Sequence, residues 1–103
     1  WDSSRTNTLE SGLSRTTAVG LYPLGASPVE AMDLSGTVRE WCLNEYENPK
    51  KVKLAGDSRR SVRGGSWLSP QDRARCGCGY DDYYPSRRYD SIGCRLLCAS
   101  PIF

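Results

Sequence analysis

The chain has 103 residues, with fourteen basic and twelve acidic side chains interspersed, no histidine and a net charge of +2; it makes one domain with a modest core and lacks the electrostatic footprint of a nucleic-acid or anionic-lipid binder. No apolar run approaches the roughly 20 residues of a membrane span, and no basic start followed by an apolar stretch marks a signal peptide. Five cysteines, Cys42, Cys76, Cys78, Cys94 and Cys98, cannot all pair within the chain, and a leftover thiol points to a reducing, cytoplasmic setting.

The sequence opens at Trp1 in a polar stretch, and no strand or helix pattern begins for about fifteen residues, which reads as a piece of something longer. Residues 16–22 alternate apolar and polar and predict a short strand, broken by Pro23, Gly25 and Pro28. A brief helical turn is expected over 28–32 and a turn over 33–36, before alternation returns over 37–43 with Val38 and Trp41 facing inward. Residues 44–60 are charged, interrupted by Pro49 and Gly56, and read as an exposed connection. The next predicted strand covers 61–67, where Gly64 and Gly65 permit a bulge or a close backbone approach. Residues 75–84 are rich in Gly, Asp and Tyr without a usable period, and 92–98 form a final strand. Short strands joined by long irregular loops suit a loop-decorated binding fold.

Three blocks stand in series along the chain: Thr17-Ala-Val-Gly-Leu-Tyr-Pro, then Asp33-Leu-Ser-Gly-Thr-Val-Arg-Glu-Trp, then Arg63-Gly-Gly-Ser-Trp followed after a loop by Ile92-Gly-Cys-Arg-Leu. In this order and spacing they resemble the C-terminal half of the formylglycine-generating enzyme (sulfatase-modifying factor) superfamily. The resemblance implies an α+β fold, a variant of the C-type lectin fold with short antiparallel strands and long irregular loops. Residues 1–103 would then be the C-terminal portion of one such domain, completed by the N-terminal remainder of that domain. Where the family usually has Asn-Val-Trp the chain has Thr37, Val38 and Arg39, departing at Thr37 and Arg39, and it departs again at Cys94, where Phe is usual.

The family's oxidase activity resembles thiol chemistry at a copper-binding cysteine pair in the loop after Gly-Gly-Ser-aromatic. The matching positions here are Ser69 and Ala74, neither of which provides a thiolate. The chain also lacks histidine, the commonest general base. No enzyme is therefore expected. An oxidase using Cys76 and Cys78 through a shifted register is the alternative in this class. A four-thiolate zinc site from Cys76, Cys78, Cys94 and Cys98 would need Cys-x-Cys in place of the usual longer knuckle, and plain structural thiols are the simpler reading. The resemblance further implies a structural calcium in the middle block, held at spacing i, i+3, i+5, i+7, which falls on Asp33, Gly36, Val38 and Glu40.

Residue usage changes abruptly along the chain. Lys, Glu, Gln, Met and Trp occur thirteen times up to Gln71 and not once from Asp72 to Phe103. These are the five amino acids that no codon ending in a pyrimidine and free at its first two bases can encode. In that signature, and in its place between Gly-Gly-Ser-Trp and Gly-x-Arg, the segment 64–95 resembles the variable region of a diversity-generating retroelement protein, which implies a diversified ligand-binding surface on a lectin-type scaffold. The variable positions are expected at Leu68, Ser69, Asp72, Cys78, Tyr80, Asp81, Asp82, Tyr83, Tyr84, Ser86, Arg87, Tyr89, Asp90 and Ser91, with Arg75, Pro85, Arg88, Gly93 and Arg95 as scaffold. Tyrosines offer large amphipathic contact area at low entropy cost, and Ser, Gly and Asp add adaptable polar contacts. The expected partner is a protein or glycan. An undiversified lectin-like interaction domain, whose loop lacks the five residue types by chance, is the other alternative.

Overall fold

The computed structural model describes residues 1–78 and 82–98. Four strands, β1 (Arg39–Glu45), β2 (Arg60–Arg63), β3 (Asp82–Tyr83) and β4 (Ile92–Gly93), form one sheet in the order β3-β2-β1-β4. The only helical pieces among the described residues are single 3-10 turns at Leu9–Ser11 and Pro23–Gly25, so the helical part of the expected α+β class does not occur there.

β1 and β2 pair antiparallel, with Glu40 opposite Arg63, Trp41 opposite Val62 and Glu45 opposite Arg60; the register slips between Trp41 and Glu45. β2 and β3 are also antiparallel. β4 instead runs parallel to β1, which corrects the all-antiparallel expectation. A parallel neighbour requires a long crossover, and the 46 residues from 46 to 91, which include β2 and β3 on the far side of β1, provide it.

Two predicted elements are absent for identifiable reasons. Residues 16–22 form no strand: Leu21 N–H closes a turn on Ala18 O at 3.2 Å, Gly20 takes φ 81°, and Val19 and Leu21 stay exposed, so the alternation buries nothing. Over 28–32 the chain makes a turn, with Glu30 N–H on Ser27 O and Ser27 N–H on Ala31 O. The last strand shrinks to Ile92–Gly93, and Leu96 and Leu97 beyond it are almost fully exposed.

The interior is mostly polar. Among the described residues, Val62 and Ala74 are the buried apolar side chains, whereas Asn7, Thr8, Thr37, Arg60, Ser61, Ser66, Ser69 and Ser91 are buried polar ones. Burying such groups is tolerable only when they are hydrogen-bonded, and Asn7 illustrates how that is met. Its Nδ2 donates to Arg15 O at 2.9 Å, its Oδ1 accepts from Ser11 Oγ at 2.6 Å, and its carbonyl accepts from Thr37 N at 2.8 Å. The pattern-free N-terminal stretch is thus woven into the core.

Thr37 is a point of stored strain. It holds φ 65°, a left-handed conformation in which a β-branched residue is a true outlier, and its Oγ1 is buried with no hydrogen-bond partner. Asparagine tolerates this conformation and is the family's usual residue. Thr37→Asn should therefore stabilise the chain by about 1 kcal/mol. A chemical-denaturation midpoint at or below that of the parent chain would overturn this account.

Candidate functional site

The segment that follows β2 leaves the sheet, returns as β3, crosses over Trp41 and rejoins the sheet as β4. Successive residues of a strand point to opposite faces. In β3 this sends Asp82 to Arg59, at 2.9 Å, and Tyr83 to the other side against Trp41. The Tyr83 ring lies edge-on to Trp41 at 6.4 Å between centroids and 5.3 Å from the Tyr89 ring, and its hydroxyl accepts from Arg39 Nη1 at 3.0 Å. A three-ring aromatic cluster results, with Tyr89 about half exposed. Arg87, Arg88, Tyr89, Asp90 and Ile92 line a shallow groove around Trp41.

The charges of this face divide into two kinds. Asp82 is neutralised by Arg59, whose hydrogen bond to Glu47 pushes its pKa above the ordinary range. Arg87, Arg88 and Asp90 are exposed; Arg88 Nη1 donates to the main-chain oxygens of Pro85 and Arg87. Tyr84 is exposed on the other flank, in a small groove with Glu45, Glu47, Ser58 and Arg59.

The expected variable positions do not all meet. Asp82, Tyr83, Tyr84, Ser86, Arg87, Tyr89 and Asp90 lie in the short segment of β3 and the loop after it, and all are exposed or half-buried. Asp72 and Cys78 belong elsewhere, with Arg73 and Arg75 around a separate hollow; Asp72 also borders a cleft of about 820 Å³ shared with Trp1 and Arg5. Leu68 is exposed. Ser69 and Ser91 turn inward: Ser69 Oγ accepts from Ser66 N at 3.0 Å, while Ser91 O accepts from Arg39 N at 2.8 Å, and neither side chain reaches the surface. Tyr80 and Asp81 lie outside the described residues.

Sequence reasoning missed two contributors. Trp41, expected to face inward, is half-buried and forms the floor of the aromatic cluster, and Arg39 fixes the Tyr83 hydroxyl from below. Alternation along β1 carried the signal that one face of the strand held large side chains. It could not say which loop would cover them.

All five cysteines are free thiols. Cys76 is exposed, with its sulfur 3.7 Å from Leu34 O, and burial pushes the Cys42 thiol pKa up. Among the described residues no group of three or more His, Cys, Asp or Glu side chains could hold a metal, so Cys76, Cys78, Cys94 and Cys98 do not converge. Ala74, at one position where the resemblance puts a catalytic cysteine, is buried against Gly65.

Of the four residues expected to hold calcium, near one another in sequence, Asp33 and Glu40 have carboxylate oxygens engaged with other groups. Asp33 Oδ2 accepts from Gly20 N at 2.9 Å. Both Glu40 carboxylate oxygens accept from Arg95, and Arg95 Nη2 also donates to Asp33 O at 3.1 Å. Gly36 is buried, and Val38 Cγ2 abuts Gly93. Calcium needs several oxygens directed at one point; a guanidinium already sits on the Glu40 carboxylate, so the donors as arranged do not fit the ion. No helix among the described residues is long and apolar enough to cross a membrane.

The profile of the sulfatase-modifying factor enzyme 1-like domain family matches residues 1–100. No curated protein matches the chain.

Proposed function

Because the chain belongs to the sulfatase-modifying factor enzyme 1-like domain family, we propose that it uses that family's scaffold, a lectin-like one, as a binding module whose exchangeable residues lie on the segment from β3 to β4, and that it is no enzyme. One observation carries the reading. Within the segment that lacks Lys, Glu, Gln, Met and Trp, Tyr83, Arg87, Tyr89 and Asp90 are clustered on a partly exposed face over Trp41, a residue outside that segment. On this reading Trp41 is the constant floor and the four residues over it are the replaceable side chains, as a diversity-generating system requires. Aromatic rings with adjacent Arg and Asp suit a protein or glycan partner, in which rings supply contact area and charges set preference.

The test is a library randomised at Ser86, Arg87, Tyr89 and Asp90, displayed and selected on protein and glycan arrays, with folding followed in parallel. Most members should melt within several degrees of the parent, since exposed substitutions usually stay within about 0.5 kcal/mol and loss of the Tyr83–Tyr89 ring contact costs about 0.5–1.5 kcal/mol, while selected binders diverge in sequence at those positions only. General loss of folding would sink the reading. So would sibling genes that vary evenly along their length, without a template repeat differing at adenines.

Family membership by itself favours a second reading, an oxidase of the formylglycine-generating type using Cys76 and Cys78. Stoichiometric copper binding that disappears in Cys76→Ser would establish it in place of the first.

A further inference from the structure

We infer that Arg95 does the structural work expected of calcium, so that the chain folds and presents its binding face with no bound metal. Arg95 Nε donates to Glu40 Oε2 at 2.5 Å, Nη2 to Glu40 Oε1, and the same Nη2 reaches Asp33 O at 3.1 Å. One planar fork therefore joins the carboxylate of Glu40 to the carbonyl of Asp33, the two ends of the expected metal-binding block. A bidentate guanidinium–carboxylate pair is the strong, geometrically specific form of such a contact, and Glu40 is less than one-fifth exposed. A divalent cation at this block would meet the Arg95 guanidinium already seated on both Glu40 oxygens, whose positive charge repels it, and one Asp33 carboxylate oxygen already taken by Gly20 N–H.

The clamp also has a place in the fold that gives it a purpose. β4 lies parallel beside β1, with Glu40 opposite Gly93, so Arg95 follows the last sheet contact of the binding segment by two residues. At the other end, Gly64 O accepts from Gly36 N at 2.5 Å. Both ends of segment 64–95 are thus pinned to the turn over 33–36, one through main chain and the other through Arg95. The exposed residues between, such as Arg87 and Asp90, can then be exchanged while these two attachments, made by residues outside the exchangeable set, stay the same. This inference does not depend on the face having any ligand.

Thermal melts of the chain with EGTA and with millimolar calcium chloride, together with calorimetric titration of calcium alone, test it. Equal melting temperatures and no heat of binding are expected. Arg95→Met should lower the melting temperature by roughly 5–10 °C, Arg95→Lys should recover only part of the loss, and Glu40→Gln combined with Arg95→Met should cost little more than either alone. A saturable rise in melting temperature with calcium, abolished by Glu40→Gln, would overturn the inference, as would an Arg95→Met chain that melts like the parent. Should Arg95→Met fail to fold, the calcium and EGTA comparison on the parent chain decides.

Discussion

Gly36→Ala should lower the melting temperature by more than about 15 °C, or leave the chain insoluble. A Cβ at this position would lie 2.2 Å from Thr6 Oγ1 and 2.5 Å from the main-chain oxygen of Asn7, and the backbone holds φ 85°. Thr6 Oγ1 is held by its hydrogen bond to Ser35 O, and the Asn7 carbonyl is held because it accepts the Thr37 N–H at 2.8 Å. The mutation therefore forces apart the contact that joins the N-terminal stretch to the turn before β1. Gly12→Ala is the matched control, since Gly12 has φ 71° but nothing within 4 Å of its Cβ. That control pays conformational strain alone, about 1 kcal/mol, and at roughly 4–8 °C per kcal/mol for a domain of this size the two variants separate clearly. If Gly36→Ala melted no earlier than Gly12→Ala, the close approach would not be the constraint inferred here.

Arg60→Met should cost about 3 kcal/mol and loosen the connection between β1 and β2. Arg60 is 7% exposed, and its guanidinium donates to Leu43 O at 2.6 Å, Lys53 O at 2.8 Å and Ala55 O at 3.1 Å. Hydrogen bonds to a charged group contribute about 1.5–3 kcal/mol each, but Lys53 and Ala55 lie in an exposed stretch whose carbonyls rehydrate once released, so the three do not sum. Methionine keeps most of the stem's volume, which isolates the polar loss. Amide exchange should accelerate at 51–57 and hardly at all around Val62. An unchanged exchange pattern in 51–57 would remove Arg60 as the anchor of that connection.

The legible parts of this fold are those whose cause is local. Alternation over 37–43 and 61–67 marked β1 and β2, although each strand is shifted by one or two residues or shortened. Turn chemistry at Asp33-Leu-Ser-Gly36 and the paired Gly64 and Gly65 appeared where the chain does turn and does come close, with φ values of 85°, 92° and 64° at the three glycines. The alternation over 16–22 misled because it resembles that of a strand while nothing covers it. Burial of Asn7 and Thr8 was invisible in the sequence, because a polar residue carries no period to show that its partners lie at Ser11, Arg15 and Thr37.

The same division holds for the site. Tyr84, Arg87, Tyr89 and Asp90 were legible as surface residues from composition, whereas Tyr83 is half-buried against Trp41. Ser69 and Ser91 are buried, which the sequence does not reveal because serine is compatible with either side of the surface and only the tertiary neighbours decide. By itself the sequence determined the family, the absence of a cysteine pair at Ser69 and Ala74, and the abrupt change in residue usage after Gln71, all of which depend on residue identity and order. Only the tertiary structure placed Trp41 beneath Tyr83 and Arg95 on Glu40, because each of these contacts joins positions more than 40 residues apart, and their formation depends on how the sheet brings β1, β3 and β4 together.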